Sequence, residues 1–186
     1  MQAVLVLSGK SGSGKDAFAQ SLTEILKDHN KRVIVIHYAD VLKFFLKEFY
    51  EWDGQKDIIG RTLLQFVGTD QVRAHNPDYW TNVVVGFLAA IEDSGDFNVA
   101  IIPDARFENE VNITLSNLKN SYSIRVERSN EDGTPWINEK LTETQRAHPS
   151  ETSLDKFAFD YIIHNDGDLE LLKESAETLL KDLKII

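Results

Sequence analysis

The chain has 186 residues, enough for one domain with a sizeable core. Hydrophobic residues make up 42% and charged residues 27%, a globular balance, and no apolar run reaches the length of a membrane span. A net charge of −10 argues against DNA or RNA as a partner, because phosphate backbones are held by Lys and Arg. A nucleotide, by contrast, needs only a local cationic pocket. The absence of cysteine excludes disulfides and thiolate metal sites and fits the cytoplasm. The first apolar run is strand-length and has no basic segment before it, so no cleavable leader is expected.

That run, residues 3–7, predicts a buried strand, and it leads directly into Ser8-Gly9-Lys10-Ser11-Gly12-Ser13-Gly14-Lys15-Asp16. Gly9 and Gly14-Lys15 satisfy the G-x-x-x-x-G-K spacing of a phosphate-binding loop. Glycine permits unusual dihedrals and lets backbone N–H groups approach an anion closely. The helix that follows offers its free N–H groups to the same anion, and Lys15 adds a point charge. A flexible Gly/Ser linker is the competing reading, but a strand pattern and a helix pattern abut the glycines. The Ser or Thr that usually follows the lysine and binds magnesium is Asp16 here, and the next residue is Ala17. A carboxylate so close to phosphates makes sense with a cation between them.

Residues 15–29 have apolar positions at helical spacing, and 33–36 are a second buried strand, so the unit is β-α-β and the sheet parallel. Asp40 stands at that strand's carboxyl end, where ligands bind in open α/β sheets. It is either a site residue or the N-cap of a helix reaching about residue 50. A further helix is expected over 61–74, with Arg61, Gln65 and Arg73 as its polar candidates. Asn76-Pro77 reads as cap and first position of the next, which carries Trp80 early. Trp80 is core or a platform for a base.

Residues 99–102 predict a third buried strand ended by Pro103-Asp104. An apolar strand ending in an acid is the pattern that holds magnesium beside such a loop. A helix over 105–119 would set Arg106 and Glu110 one turn apart, as an ion pair or a site. Residues 121–126 alternate into a fourth strand. The polar stretch 129–149 is too long for an ordinary connection and is read as a lid, with Thr142 and Gln145 as a capping box. Arg146 is placed to close over a transferring phosphate, and His148 reads as structural. A fifth strand over 159–163 and an amphipathic helix from Leu169 to Leu183 close the chain. The pattern gives an α/β fold: a five-stranded parallel sheet with helices on both faces and insertions after the second and fourth strands. The core is expected in 1–38, 95–128 and 151–186, the insertions in 39–94 and 129–150.

This architecture resembles the nucleoside monophosphate kinases of the P-loop superfamily. Local stretches resemble, further, the bacteriophage-type deoxynucleoside monophosphate kinases. They are Gly14-Lys15-Asp16, Tyr38-Ala39-Asp40-Val41-Leu42-Lys43, the run from Arg61 to Asp70, and Asp78-Tyr79-Trp80. Later come Asp104-Ala105-Arg106-Phe107-Glu108-Asn109-Glu110, His148-Pro149-Ser150-Glu151 and Asn165-Asp166-Gly167. They run in family order over nearly the whole chain.

The resemblance implies transfer of the ATP γ-phosphoryl group to a deoxynucleoside monophosphate, with Mg2+. Carried over, Lys15 and the loop from Gly9 to Ala17 hold ATP, while Asp16 and Asp104 lie near the metal. Arg106 would hold the acceptor phosphate, with Glu110 orienting it. Asp40, Lys43, Arg61, Gln65, Arg73, Asp78 and Trp80 would shape the acceptor site, and Arg128 and Arg146 would be lid charges. Ala17, where such loops often carry Thr, leaves the magnesium arrangement open. The resemblance also allows a homodimer and a host cytoplasm, with neither nucleic acid nor membrane as partner. The phosphomevalonate kinases share a Gly-Lys-Asp loop and are the other enzyme reading. A nucleotide-dependent switch is the non-enzymatic one, though its Asp-x-x-Gly and Asn-Lys-x-Asp signals are missing here.

Overall fold

The computed structural model describes residues 1–130 and 132–186. Its strands are β1 (Ala3–Ser8), β2 (Val33–Val35), β3 (Val99–Ala105), β4 (Ser121–Glu127) and β5 (Tyr161–His164). They form one all-parallel sheet in the order β2-β3-β1-β4-β5. The phosphate loop therefore leaves the central strand. Alternation within β1 explains why both sheet faces need covering. Leu5 and Leu7 pack with Phe18 and Leu22 of α1 (Lys15–Asp28) and with Leu179 of α8 (Leu169–Asp182). Val4 and Val6 pack on the other face with Leu42 of α2 (Asp40–Phe49), Val84 of α4 (Tyr79–Ile91) and Val111 of α5 (Glu108–Asn117). Both faces are apolar, which gives the three-layer α/β fold that the sequence predicts.

Local chemistry moves several boundaries. Between α2 and α4 the chain forms α3 (Ile58–Gln65) and then a π-helical stretch, Phe66–Arg73, rather than one α-helix over 61–74. The helix starts early because the Asp57 carboxylate accepts the Gly60 amide at 2.7 Å. The wider π turns are a departure that recurs at functional sites, and here they carry Gly68, Thr69 and Arg73. Asn76 caps no helix. Its side-chain oxygen accepts the Asp78 amide at 3.2 Å as a local turn, and α4 begins at Tyr79.

Asp40 is likewise not an N-cap. It is the first residue of α2, after Ala39, and its carboxylate is used by the His37 amide and by Lys43, both at 2.9 Å. β3 runs on through Pro103 and Asp104 to Ala105, which pairs with Ser8 after a register irregularity. In the stretch after β4, α6 (Glu143–Ala147) carries the expected capping box. Thr142 Oγ1 accepts the Gln145 amide at 3.2 Å, and Gln145 Oε1 accepts the Thr142 amide at 3.1 Å. The short α7 (Pro149–Thr152) follows, capped by His148, whose Nδ1 accepts the Ser150 amide.

Candidate active site

The phosphate loop is shaped by three glycines and one asparagine. Gly12 and Gly14 have φ of +83° and +95°, in the left-handed region where a side chain is strained. A Cβ at Gly9 would stand 2.6 Å from the Val126 carbonyl oxygen. Asn165, just beyond β5, donates its side-chain amide to the Ser13 carbonyl at 2.8 Å and so ties the loop to the far side of the sheet. Lys15, at the start of α1, is 6% exposed. Burial, with the Arg106 guanidinium nearby, lowers its pKa to about 8.

A cleft of about 290 Å3 opens at the carboxyl ends of the strands. Lys15, Asp16, Asp104 and Arg106 form the wall nearest the loop, and Lys43, Arg61, Gln65, Arg73 and Trp80 form the wall from residues 39–94. Asp104, near the end of β3, has its oxygens fixed by the Tyr38 and Ala39 amides at 2.9 and 3.2 Å. Trp80 is both core and lining: it is buried, and its indole N–H donates to the Gly68 carbonyl at 3.0 Å.

Arg106 and Glu110 do not form the intrahelical pair that their spacing suggests. Arg106 precedes α5, and its backbone N–H, with that of Phe107, donates to the Glu110 carboxylate. The Glu110 side chain pairs with Arg73, which also donates to the Pro77 carbonyl and lies 4.2 Å over the Phe107 ring. The Arg106 guanidinium pairs instead with Glu151 at 2.9 Å. Glu110 is 2% exposed, and burial raises its pKa to about 7 against the pull of Arg73. Of the three arginines that line the cleft, Arg73 and Arg106 are thus each fixed by its own carboxylate.

Of the predicted site residues, Gly9–Gly14 and Ala17 of the loop lie outside the cleft lining, and so do four residues beyond the loop. Asp40 faces His37 and Lys43, and Asp78 accepts from Asn109 at 2.7 Å. Arg128 stacks 4.8 Å over Trp136, and Arg146 donates to the Leu141 carbonyl at 2.6 Å. Sequence reasoning missed Trp136 and Asn138, which sit on the phosphate loop. Asn138 donates to Ser11 Oγ at 3.1 Å, and the Trp136 ring lies where a Gly12 side chain would go. It also missed Arg125, 7% exposed, which donates to Ser8 Oγ and pairs with Asp155. The signal was available: an arginine between Ile124 and Val126 in a buried strand needs partners.

A phosphate loop on the central strand of a parallel sheet, with an arginine-lined cleft beside it, defines a P-loop kinase. Solved structures with this fold include the dephospho-CoA kinase of Campylobacter jejuni, with a TM-score of 0.54 at 12% identity over 98% of each chain. The APS kinase of Mycobacterium tuberculosis in complex with AMPPNP and APS gives 0.52 at 11% identity, over 99% of this chain and 98% of that one. A sugar kinase of a Janibacter species gives 0.54 at 16% identity, over 96% and 94%. No curated protein matches the chain. The model of the family "Deoxynucleotide monophosphate kinase" matches residues 25–176, most of the chain, and the chain belongs to that family. It is an ATP-dependent kinase that phosphorylates a deoxynucleoside monophosphate to the diphosphate. Among the described residues no helix is long and apolar enough to cross a membrane.

Proposed function

We propose that Lys15 and the loop from Gly9 to Ala17 hold the ATP phosphates, and that Arg73 and Arg106 hold the acceptor phosphate. Trp80, Gln65, Arg61 and Lys43 take its nucleoside. The observation that carries this reading is the shared cleft, with the loop lysine on one wall and the cationic insertion 39–94 on the other. An acceptor phosphate oxygen attacks the γ-phosphorus, the bond to the β–γ bridging oxygen breaks, and ADP leaves with the electron pair. A phosphate monoester has its second pKa near 6, so the acceptor is already ionised at neutral pH and needs no general base. Positioning and charge do the work. Asp16 and Asp104 are the residues that would hold Mg2+, which needs one or two carboxylates and takes its other ligands from phosphates and water. Their place beside Lys15 fits that need, and among the described residues no denser cluster of metal-ligating side chains forms. The ion would neutralise charge on the phosphate oxygens.

Residues 129–150 act as a lid in this reading, excluding water as a competing acceptor. Closure brings Arg128 and Arg146 to the phosphates. The resemblance also supports a cytoplasmic homodimer, and the acidic charge supports an enzyme without a nucleic-acid partner. The test is ADP release from ATP and magnesium across the deoxynucleoside and ribonucleoside monophosphates, with phosphomevalonate included. Turnover with at least one deoxynucleotide, reduced about 10²-fold or more in Arg106→Ala, is the expected result. Turnover with phosphomevalonate alone, or none with any acceptor, would overturn the assignment.

A further inference from the structure

Two carboxylates reach the phosphate loop from the chain that follows the lid. Glu151, on α7, has a side chain 12% exposed. One of its oxygens accepts the Ser11 backbone N–H at 2.9 Å, and the other accepts Arg106 Nη1 at 2.9 Å. Arg106 Nη1 also donates to the Gly9 carbonyl at 3.2 Å. Four residues on, Asp155 accepts from Lys10 Nζ at 2.9 Å and pairs with Arg125 at 3.4 Å. Glu151 therefore straddles the two substrate sites. It holds an amide of the loop that receives ATP, and it aims the arginine that faces the acceptor.

A carboxylate on a phosphate-loop amide has two opposing effects. It fixes Arg106 by a charge-assisted hydrogen bond, which favours a competent acceptor site. It also places a negative charge where phosphate oxygens arrive, which disfavours ATP. We propose that Glu151 is a positioning residue that couples the sites: it trades ATP affinity for the orientation of Arg106. This inference rests on the site assignment above. A residue that only braced the loop would behave differently, since its loss would weaken ATP binding.

The signs of the two effects provide the test. Glu151→Gln keeps the shape and an acceptor for Ser11 but removes the charge. Binding of a non-hydrolysable ATP analogue is measured by titration calorimetry at pH 7, and steady-state kinetics use the best deoxynucleotide. The expected result is analogue binding tighter by several-fold with kcat/KM for the acceptor down by about tenfold. Glu151→Asp keeps the charge but is one methylene too short to bridge both donors. It should leave the analogue Kd within about twofold of the parent and still lose kcat/KM. In an Arg106→Lys background, Glu151→Gln should cost little more, because the pair acts as a unit. Weaker analogue binding in Glu151→Gln, unchanged kcat/KM, or additive losses would overturn the proposal. If Glu151→Gln does not fold, the Glu151→Asp variant and its cycle with Arg106→Lys decide it alone. An unsubstituted chain without acceptor-dependent turnover would instead overturn the site assignment, and this inference with it.

Discussion

Replacing Lys15 by Met should abolish turnover and make the protein more stable. The drop in the lysine's pKa from 10.5 to about 8, at 1.36 kcal/mol per pKa unit, is worth about 3 kcal/mol of charge burial at neutral pH. Methionine keeps the aliphatic stem and loses the charge. In a chain of this length each kcal/mol moves Tm by about 2–4 °C, so Lys15→Met should melt roughly 6–12 °C higher at pH 7. The pH dependence fixes the cause. Between pH 8 and 10.5 the unfolded lysine binds more protons than the folded one, so the parent gains stability as pH rises through that window. The gap between parent and variant should therefore be full below pH 8 and close by about pH 10.5. Differential scanning calorimetry of both proteins across that range is the assay. A variant that melts lower than the parent at pH 7, or a gap that does not change with pH, would refute the reasoning. The same lysine predicts that parent Kd for ATP rises about tenfold per pH unit above 8, because binding must then recruit a proton.

Glu110→Gln tests the second buried charge, whose pKa burial raises from 4.5 to about 7. The folded carboxyl binds its proton more tightly than the unfolded one, so parent stability should fall relative to the variant as pH rises from about 4.5 to 7. A parent that instead gains on the variant over that window would show that the Arg73 pair dominates. Trp136 sits on Gly12, so an ATP analogue that moves the lid should change tryptophan emission, and Trp136→Phe should abolish that change. An equal change in Trp136→Phe would assign the signal elsewhere. Arg146→Ala should lower kcat about tenfold or more and leave Tm nearly unchanged, since its hydrogen bond to Leu141 is a single local contact. An unaltered kcat removes Arg146 from the reaction.

The phosphate loop could be read from sequence because its information is local. Strand, glycines, lysine and helix are contiguous, and the structure assembles them as their spacing requires. The layers could be read for a similar reason, since both faces of β1 are apolar and demand helices. The pairing of charges could not. Arg73 meets Glu110 across 37 residues and Arg106 meets Glu151 across 45, and only the sheet's crossovers bring them together. Short-range spacing favoured Arg106 with Glu110, but the carboxylate finds two backbone amides and a second arginine within reach. Asp40 shows a different limit: its partners His37 and Lys43 are each three residues away, and spacing alone did not decide between them and the cap role. The π-helical stretch has no local signature. Gly68 within it admits the Leu42 side chain, where a Cβ would come 2.5 Å from Leu42 Cδ2, a contact that pattern alone does not contain.

The central position of β1 has a consequence for biosynthesis. β1 is made before the neighbours it pairs with, which begin at Val99 and Ser121, and its loop is tied by Asn165. These are long-range contacts, and chains dominated by such contacts assemble late and slowly. An apolar segment, residues 3–7, must wait without its partners until β3 and β4 have been made. Nascent chains arrested before residue 121 should therefore fail to retain ATP, and chains released after residue 186 should acquire that ability only as β4 and β5 dock. Retention of ATP by the arrested chains would show that β1 and its loop fold without their neighbours.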